Sequence, residues 1–125
     1  MIITDDFLNI EGYKLEVRII QYSNTSKLPS IVLLHEGLGS ISLWKDWPER
    51  LAKKIKRNII IYSRIGMGKS TPINKKRNTN FMHEEARKFL KKVIENYCTI
   101  EPDLFGHSDG ASISIIYAGL NYPLN

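Results

Sequence analysis

A single cysteine, Cys98, is too few for an internal disulfide and leaves no cysteine-based metal site. At the end of a helical segment it reads as a small core or boundary residue. No apolar run comes near the roughly 18–20 residues that cross a bilayer. The opening stretch, "MIITDDFLNI", has two acids where a secretory leader carries lysines, and its apolar part is too short. A cytoplasmic protein with no membrane partner is the expectation. Internal repeats, low-complexity segments and domain linkers are missing too, so residues 1–125 are read within one domain, with no second one.

What is present fits a globular protein, with 42% hydrophobic and 25% charged residues and enough length for a real core. The net charge of +5 raises a nucleic-acid reading. Its lysines lie on helix faces ("AKKIKR", "RKFLKKV") and in one loop ("INKKRNTN"), among acids and without interleaved aromatics. Base stacking needs those aromatics, so the basic residues read as a solvated surface and no nucleic-acid partner is expected.

Residues 7–22 alternate after Gly12, with Tyr13, Leu15, Val17 and Ile19 opposite Lys14, Glu16 and Arg18. That period of two predicts two strands joined at "NIEGY". "IVLLH" (31–35), "NIIIYS" (58–63) and "PDLFGH" (102–107) are short apolar runs of the kind buried in a parallel sheet. Between them, a helix is predicted from Ser42 to about Lys56, with Leu43, Trp44, Trp47, Leu51 and Ile55 inside. A second covers residues 81–97, with Phe89, Leu90, Val93, Ile94 and Tyr97 inside. A third opens at "SDGASISIIYAGLNY". The order β-β-β-α-β-α-β-α predicts an α/β fold: a mostly parallel central sheet with helices on both faces. Ligands of such sheets bind at the carboxyl ends of the strands. The glycine-bearing loops after residues 35, 63 and 107 all follow such ends.

"FGHSDGASI" (105–113) contains Gly106-His107-Ser108-Asp109-Gly110, a G-x-S-x-G pattern between an apolar strand and a helix rich in small residues. A chain reversing so tightly leaves no room for a Cβ at either glycine, and it raises the serine hydroxyl above the sheet. The helix beginning there offers backbone N–H groups and a positive dipole end to a developing oxyanion. "LLHEGLGS" (33–40) is suited to a second oxyanion donor, because Gly37 and Gly39 allow close backbone approach; it also reads as a plain βα turn. "GMGKST" imitates the end of a phosphate-binding loop at Lys69 and Ser70, yet Ser63 stands where that motif needs its first glycine. His107 is expected to pack beside the serine, His83 to cap or lie on the surface, and Trp44 and Trp47 to pack in the core or wall a pocket.

In this order and spacing, "LLHEGLGS…W", "YSRIGMGKS" and "GHSDGAS" resemble the α/β-hydrolase fold superfamily, in its cytoplasmic esterase and carbon–carbon hydrolase type. The likeness runs from about Gly12 onward. It implies Ser108 as nucleophile and the N–H groups of Asp109 and Gly37 as oxyanion hole. His35, Glu36, Leu38, Gly39, Gly106, His107 and Gly110 would support the pocket and loops. Glu36 stands where the family's motif has a glycine, and Ser63 where its "D-x-R-G-x-G-x-S" loop has an aspartate. No cofactor or metal is implied.

The resemblance also implies the order Ser, then Asp or Glu, then His on later strands. Only 17 residues follow Ser108 here, so the chain is expected to be the N-terminal half of the fold, with "PDLFGH" as an open sheet edge. The expected reaction is hydrolysis of a small-molecule ester or related carbonyl through an acyl-enzyme on Ser108. The isolated chain is expected to be nearly inactive. Its expected partners are the substrate and either a complementing C-terminal chain or a second copy at the sheet edge. An inactive remnant or small binding module is the alternative, and a nucleotide binder a more distant one.

Overall fold

The computed structural model describes residues 1–24, 27–36, 39–72 and 80–120. Its elements follow the predicted order. Strands β1 (Ile2–Ile10) and β2 (Tyr13–Gln21) lead to β3 (Ile31–Leu34), a 3-10 turn (Ile41–Trp44), α1 (Trp47–Ile55) and β4 (Ile59–Tyr62). A continuous helical rod follows: α2 (Phe81–Glu84), a π-helical stretch (Glu85–Leu90) and α3 (Lys91–Tyr97). Strand β5 (Asp103–Gly106) and α4 (Asp109–Gly119) complete the described chain.

The described strands form one sheet in the order β1-β2-β4-β3-β5. The sheet is mixed: β3, β4 and β5 run parallel, while β2 is antiparallel to both β1 and β4. The hairpin explains the antiparallel part. Glu11 and Gly12 both take positive φ (49° and 88°), the two-residue turn whose twist matches paired strands.

Chain direction across the sheet reverses at β3. From β3 the chain steps to β4 on one side, then returns past β3 to β5 on the other. Right-handed crossovers in opposite directions place their helices on opposite faces. Accordingly, Ile20, Leu33, Ile59 and Ile61 pack with Ile41, Ala52 and the 3-10/α1 segment. On the other face Leu15, Val17, Val32, Leu34, Ile60 and Tyr62 pack with the 81–97 rod and with Ile113 and Tyr117 of α4. Neighbouring residues of β3 and β4 thus serve different cores, which is why both strands are apolar throughout.

Two local expectations are corrected. The helix predicted from Ser42 is split, because Pro48 lacks an N–H and is accommodated only in the first turn of α1. The split turns Leu43 (57% exposed) and Trp47 (37%) outward, and Pro48 and Ala52 take the inner places. In the rod, the inner positions recur every four residues: Glu85/Ala86, Phe89/Leu90 and Val93/Ile94. An α-helix with 3.6 residues per turn would let that stripe drift, and the wider π turns keep it in line. Tyr97 Oη donates to Asp6 Oδ2 at 2.8 Å, tying the end of the rod to β1. Among the described residues no helix is long and apolar enough to cross a membrane.

Candidate active site

The loops after β3, β4 and β5 meet at the carboxyl ends of these strands, beside the reversal point, where sheets of this type offer a crevice. After β5 the chain turns within two residues. His107 N–H still donates to Leu34 O (3.0 Å), and then Ser108 takes φ 56° and ψ −117° at the N-cap of α4. This left-handed conformation is one that non-glycine residues avoid, and holding it requires support from the surroundings. Gly106 and Gly110 supply that support. A Cβ on Gly106 would run into the backbone of Gly110 and Ala111, and one on Gly110 into the carbonyl oxygens of Leu34 and His35.

Ser108 is exposed, and its hydroxyl caps no helical N–H. Asp109 is the first residue of α4, where a backbone N–H has no partner within the helix. An open cleft of about 160 Å³ adjoins the turn, walled by His35, Glu36, Gly39, Ser40, Leu43, Trp44 and His107. Gly37 and Leu38, the remaining residues of the predicted loop, lie outside the described residues.

The three histidines are differently placed. His35 is buried; its Nε2 accepts the Arg64 backbone N–H at 2.9 Å, so its proton sits on Nδ1, which donates to Glu36 O at 2.5 Å. Nε2 thus joins the loops after β3 and β4, while Nδ1 closes on the neighbouring carbonyl, so both nitrogens are engaged. His83 is exposed on α2, far along the chain from the turn. His107 is exposed and lines the cleft, rather than packing beside the serine, and its Nδ1 lies 3.9 Å from Glu36 Oε2.

Comparison with known proteins fits this geometry. No protein-family model matches the chain. A proline iminopeptidase from Lactobacillus helveticus is 33% identical over 106 residues, covering 85% of this chain and 35% of the relative. One from Lactobacillus delbrueckii subsp. lactis is 28% identical over 117 residues, covering 94% and 39%. Among solved structures, a CIB-like hydrolase from Thermoplasma acidophilum superposes with a TM-score of 0.80 at 18% identity, covering 97% of this chain and 58% of that one. The Cif epoxide hydrolase from Acinetobacter nosocomialis gives 0.70 at 24% identity, covering 96% and 35%. The chain has the α/β-hydrolase fold. It corresponds to the N-terminal portion of that fold and spans 35–39% of the length of these curated relatives.

Within this fold, the loop after β4 is fixed by contacts that the sequence did not disclose. Glu16 of β2 reaches beneath it: its Oε1 accepts the Ser63 hydroxyl at 2.7 Å and the Lys69 N–H at 3.1 Å. Ser63 Oγ in turn accepts the Ile41 N–H at 2.9 Å, so it also anchors the loop after β3. Ser70 Oγ donates to Ser63 O (2.6 Å) and accepts the Glu16 N–H (2.9 Å). A carboxylate thus sits where a phosphate-binding loop would need its anion, and the Ser70 hydroxyl is already engaged. This disfavours the nucleotide reading.

Arg64 of the same loop and Glu85 of the rod are buried close to the Tyr62 phenol. Burial pushes that phenol well above its ordinary range, with Glu85 adding to the shift and Arg64 opposing it. Glu85 had one legible signal, its four-residue spacing from Phe89. Arg64 had none. Among the described residues no group of three or more His, Cys, Asp or Glu side chains could hold a metal ion.

Proposed function

We propose that this chain carries the nucleophile and the oxyanion-binding loops of a serine hydrolase. The observation that carries the reading is Ser108, held at positive φ between a strand end and a helix N-terminus, beside the cleft. In the reaction, Ser108 Oγ attacks a substrate carbonyl; the tetrahedral adduct breaks its bond to the alcohol or amine, which leaves with the proton taken from the serine, and water then hydrolyses the acyl-enzyme. The N–H groups of Asp109 and, by resemblance, Gly37 hold the oxyanion. A histidine oriented by an Asp or Glu takes the serine proton. His35 is engaged at both nitrogens, which favours a base and an acid supplied by a C-terminal portion of the fold.

The cleft supports the same division. At about 160 Å³ it is smaller than the roughly 300–1,000 Å³ of a small-molecule site, as expected where further walls come from elsewhere. Small esters are the first substrates to test, and the relatives named proline iminopeptidase add prolyl amides.

The test is fluorophosphonate labelling, with turnover of a p-nitrophenyl ester and of proline p-nitroanilide. Labelling at Ser108 is expected when the chain is co-expressed with a C-terminal portion bearing the acid and histidine, and not in Ser108→Ala. Robust turnover by residues 1–125 alone, lost in Ser108→Ala, would show that the base lies within this chain. No labelling of the assembled protein would favour a non-catalytic binding module instead.

A further inference from the structure

The loop after β3 begins by closing on one carbonyl. Glu36 O accepts the His35 Nδ1–H at 2.5 Å and the Gly39 N–H at 2.9 Å, which occupies both of its lone pairs. The turn is tight: a Cβ on Gly39 would lie 3.0 Å from His35 Cβ and 3.2 Å from Glu36 O. On the far side of the ring, His35 Nε2 accepts the Arg64 N–H at 2.9 Å.

We propose that His35 is a positioning residue for the oxyanion hole, acting through the Glu36 carbonyl. The inference rests on the serine hydrolase reading, with Gly37 as the second donor. A peptide unit is planar and trans, so its C=O and its N–H point in opposite directions. The unit that begins with the Glu36 carbonyl ends with the Gly37 N–H. A carbonyl held toward the buried imidazole therefore directs that N–H away from it. Turned over, the same unit would offer an oxygen where a developing oxyanion needs a hydrogen.

The loop after β4 sets this direction. Its Arg64 N–H finds its acceptor in Nε2, which leaves the proton of a neutral imidazole to Nδ1. His35 is only 2% exposed, so Nδ1–H must find a partner within the protein, and Glu36 O is that partner. The opposite tautomer would set two donors against each other and release the carbonyl on one side. One backbone N–H on the neighbouring loop thus fixes a tautomer, the tautomer a carbonyl, and the carbonyl the amide behind it.

Two amide substitutions separate the two nitrogens. The Asn amide reaches the place of Nδ1 and can donate to Glu36 O; the Gln amide oxygen reaches the place of Nε2 and can accept from Arg64. His35→Asn strands a buried N–H and is expected to be the less stable of the two in urea unfolding. It is expected nonetheless to be the more active. In the protein assembled with its C-terminal portion, His35→Gln should lower kcat for a p-nitrophenyl ester by about tenfold or more, with KM within about twofold. His35→Asn should lower kcat by less than about threefold. Activities that follow the stabilities, Gln above Asn, would mark a histidine that only holds the loops together and would overturn the proposal. Long-range proton–nitrogen NMR spectra of the assembled protein read the ring directly, and a His35 protonated at Nε2 alone would overturn it as well. If the assembled wild type does not react with a fluorophosphonate at Ser108, the nucleophile reading fails and this proposal with it. If wild type and His35→Gln react equally fast, only this proposal fails.

Discussion

Ser63 donates its hydroxyl proton to Glu16 Oε1 at 2.7 Å while accepting the Ile41 N–H at 2.9 Å. Related sequence patterns place an aspartate at the Ser63 position; here the carboxylate arrives from the neighbouring strand, and a serine relays it to the loop. Three segments distant in sequence are joined by one oxygen atom.

Removing that relay is expected to be costly. Ser63→Ala leaves the Ile41 N–H without its acceptor in a buried place and takes one of two donors from Glu16 Oε1, a loss of about 1–3 kcal/mol. Glu16→Gln retains an acceptor oxygen and should lose less than about 1 kcal/mol. Urea unfolding of the two variants checks the order, and equal losses would contradict the relay.

Backbone strain at Ser108 makes a second contrast. Ser108→Gly relieves about 1–3 kcal/mol of left-handed strain against about 0.5–1 kcal/mol of added chain entropy, so stability should rise by about 1 kcal/mol. Ser108→Ala keeps the strain and should change stability little. Gly110→Ala has the opposite character, because its methyl group meets the Leu34 carbonyl, and folded protein should be lost. Thermal melts distinguish the three.

Burial pushes the Cys98 thiol up to about 11. Alkylation by iodoacetamide should therefore rise with a midpoint near pH 11 in the folded protein and near the ordinary value of about 8.5 after denaturation. The thiol holds its proton more tightly when folded. Stability is thus intact below about pH 8.5 and declines as pH climbs toward 11. Cys98→Ala should flatten that alkaline slope.

At the other end of the pH scale, the Arg18 guanidinium bonded to Asp5 at 2.7 Å holds that carboxyl below its ordinary range. Its contribution is present above about pH 4 and is lost as pH falls through the lowered value. Because Asp5 is mostly exposed, it should amount to a few tenths of a kcal/mol and shrink with salt. Acid titrations of wild type and Asp5→Asn should differ by that amount, and a salt-independent difference would count against the pair.

A sheet covered on both faces was legible because β3 and β4 are apolar on successive residues, whereas the strand order β1-β2-β4-β3-β5 was not. The turn at Ser108 was legible because its neighbours must be glycine for steric reasons. The buried charges were not. Arg64 and Glu85 resemble surface residues in sequence, and only packing from two different elements brings them to one phenol. Nor could Glu16 be linked to Ser63, 47 residues away, from an alternating strand pattern that assigns it to solvent. Leu43 and Trp47 were misread because a helical stripe was extended across Pro48.

The π-helical stretch Glu85–Leu90 has a consequence for how this sequence is aligned with others. Such a stretch is equivalent to an α-helix with one residue added, so relatives with a regular helix here should show a one-residue gap. Deleting a residue in this chain would restore regular helical hydrogen bonding but turn everything before it by about 100°. Met82 would swing away from the core it now flanks, and Glu85 away from the Tyr62 phenol. The added residue therefore sets the rotational phase of the rod, and with it the electrostatic environment of the Tyr62 phenol.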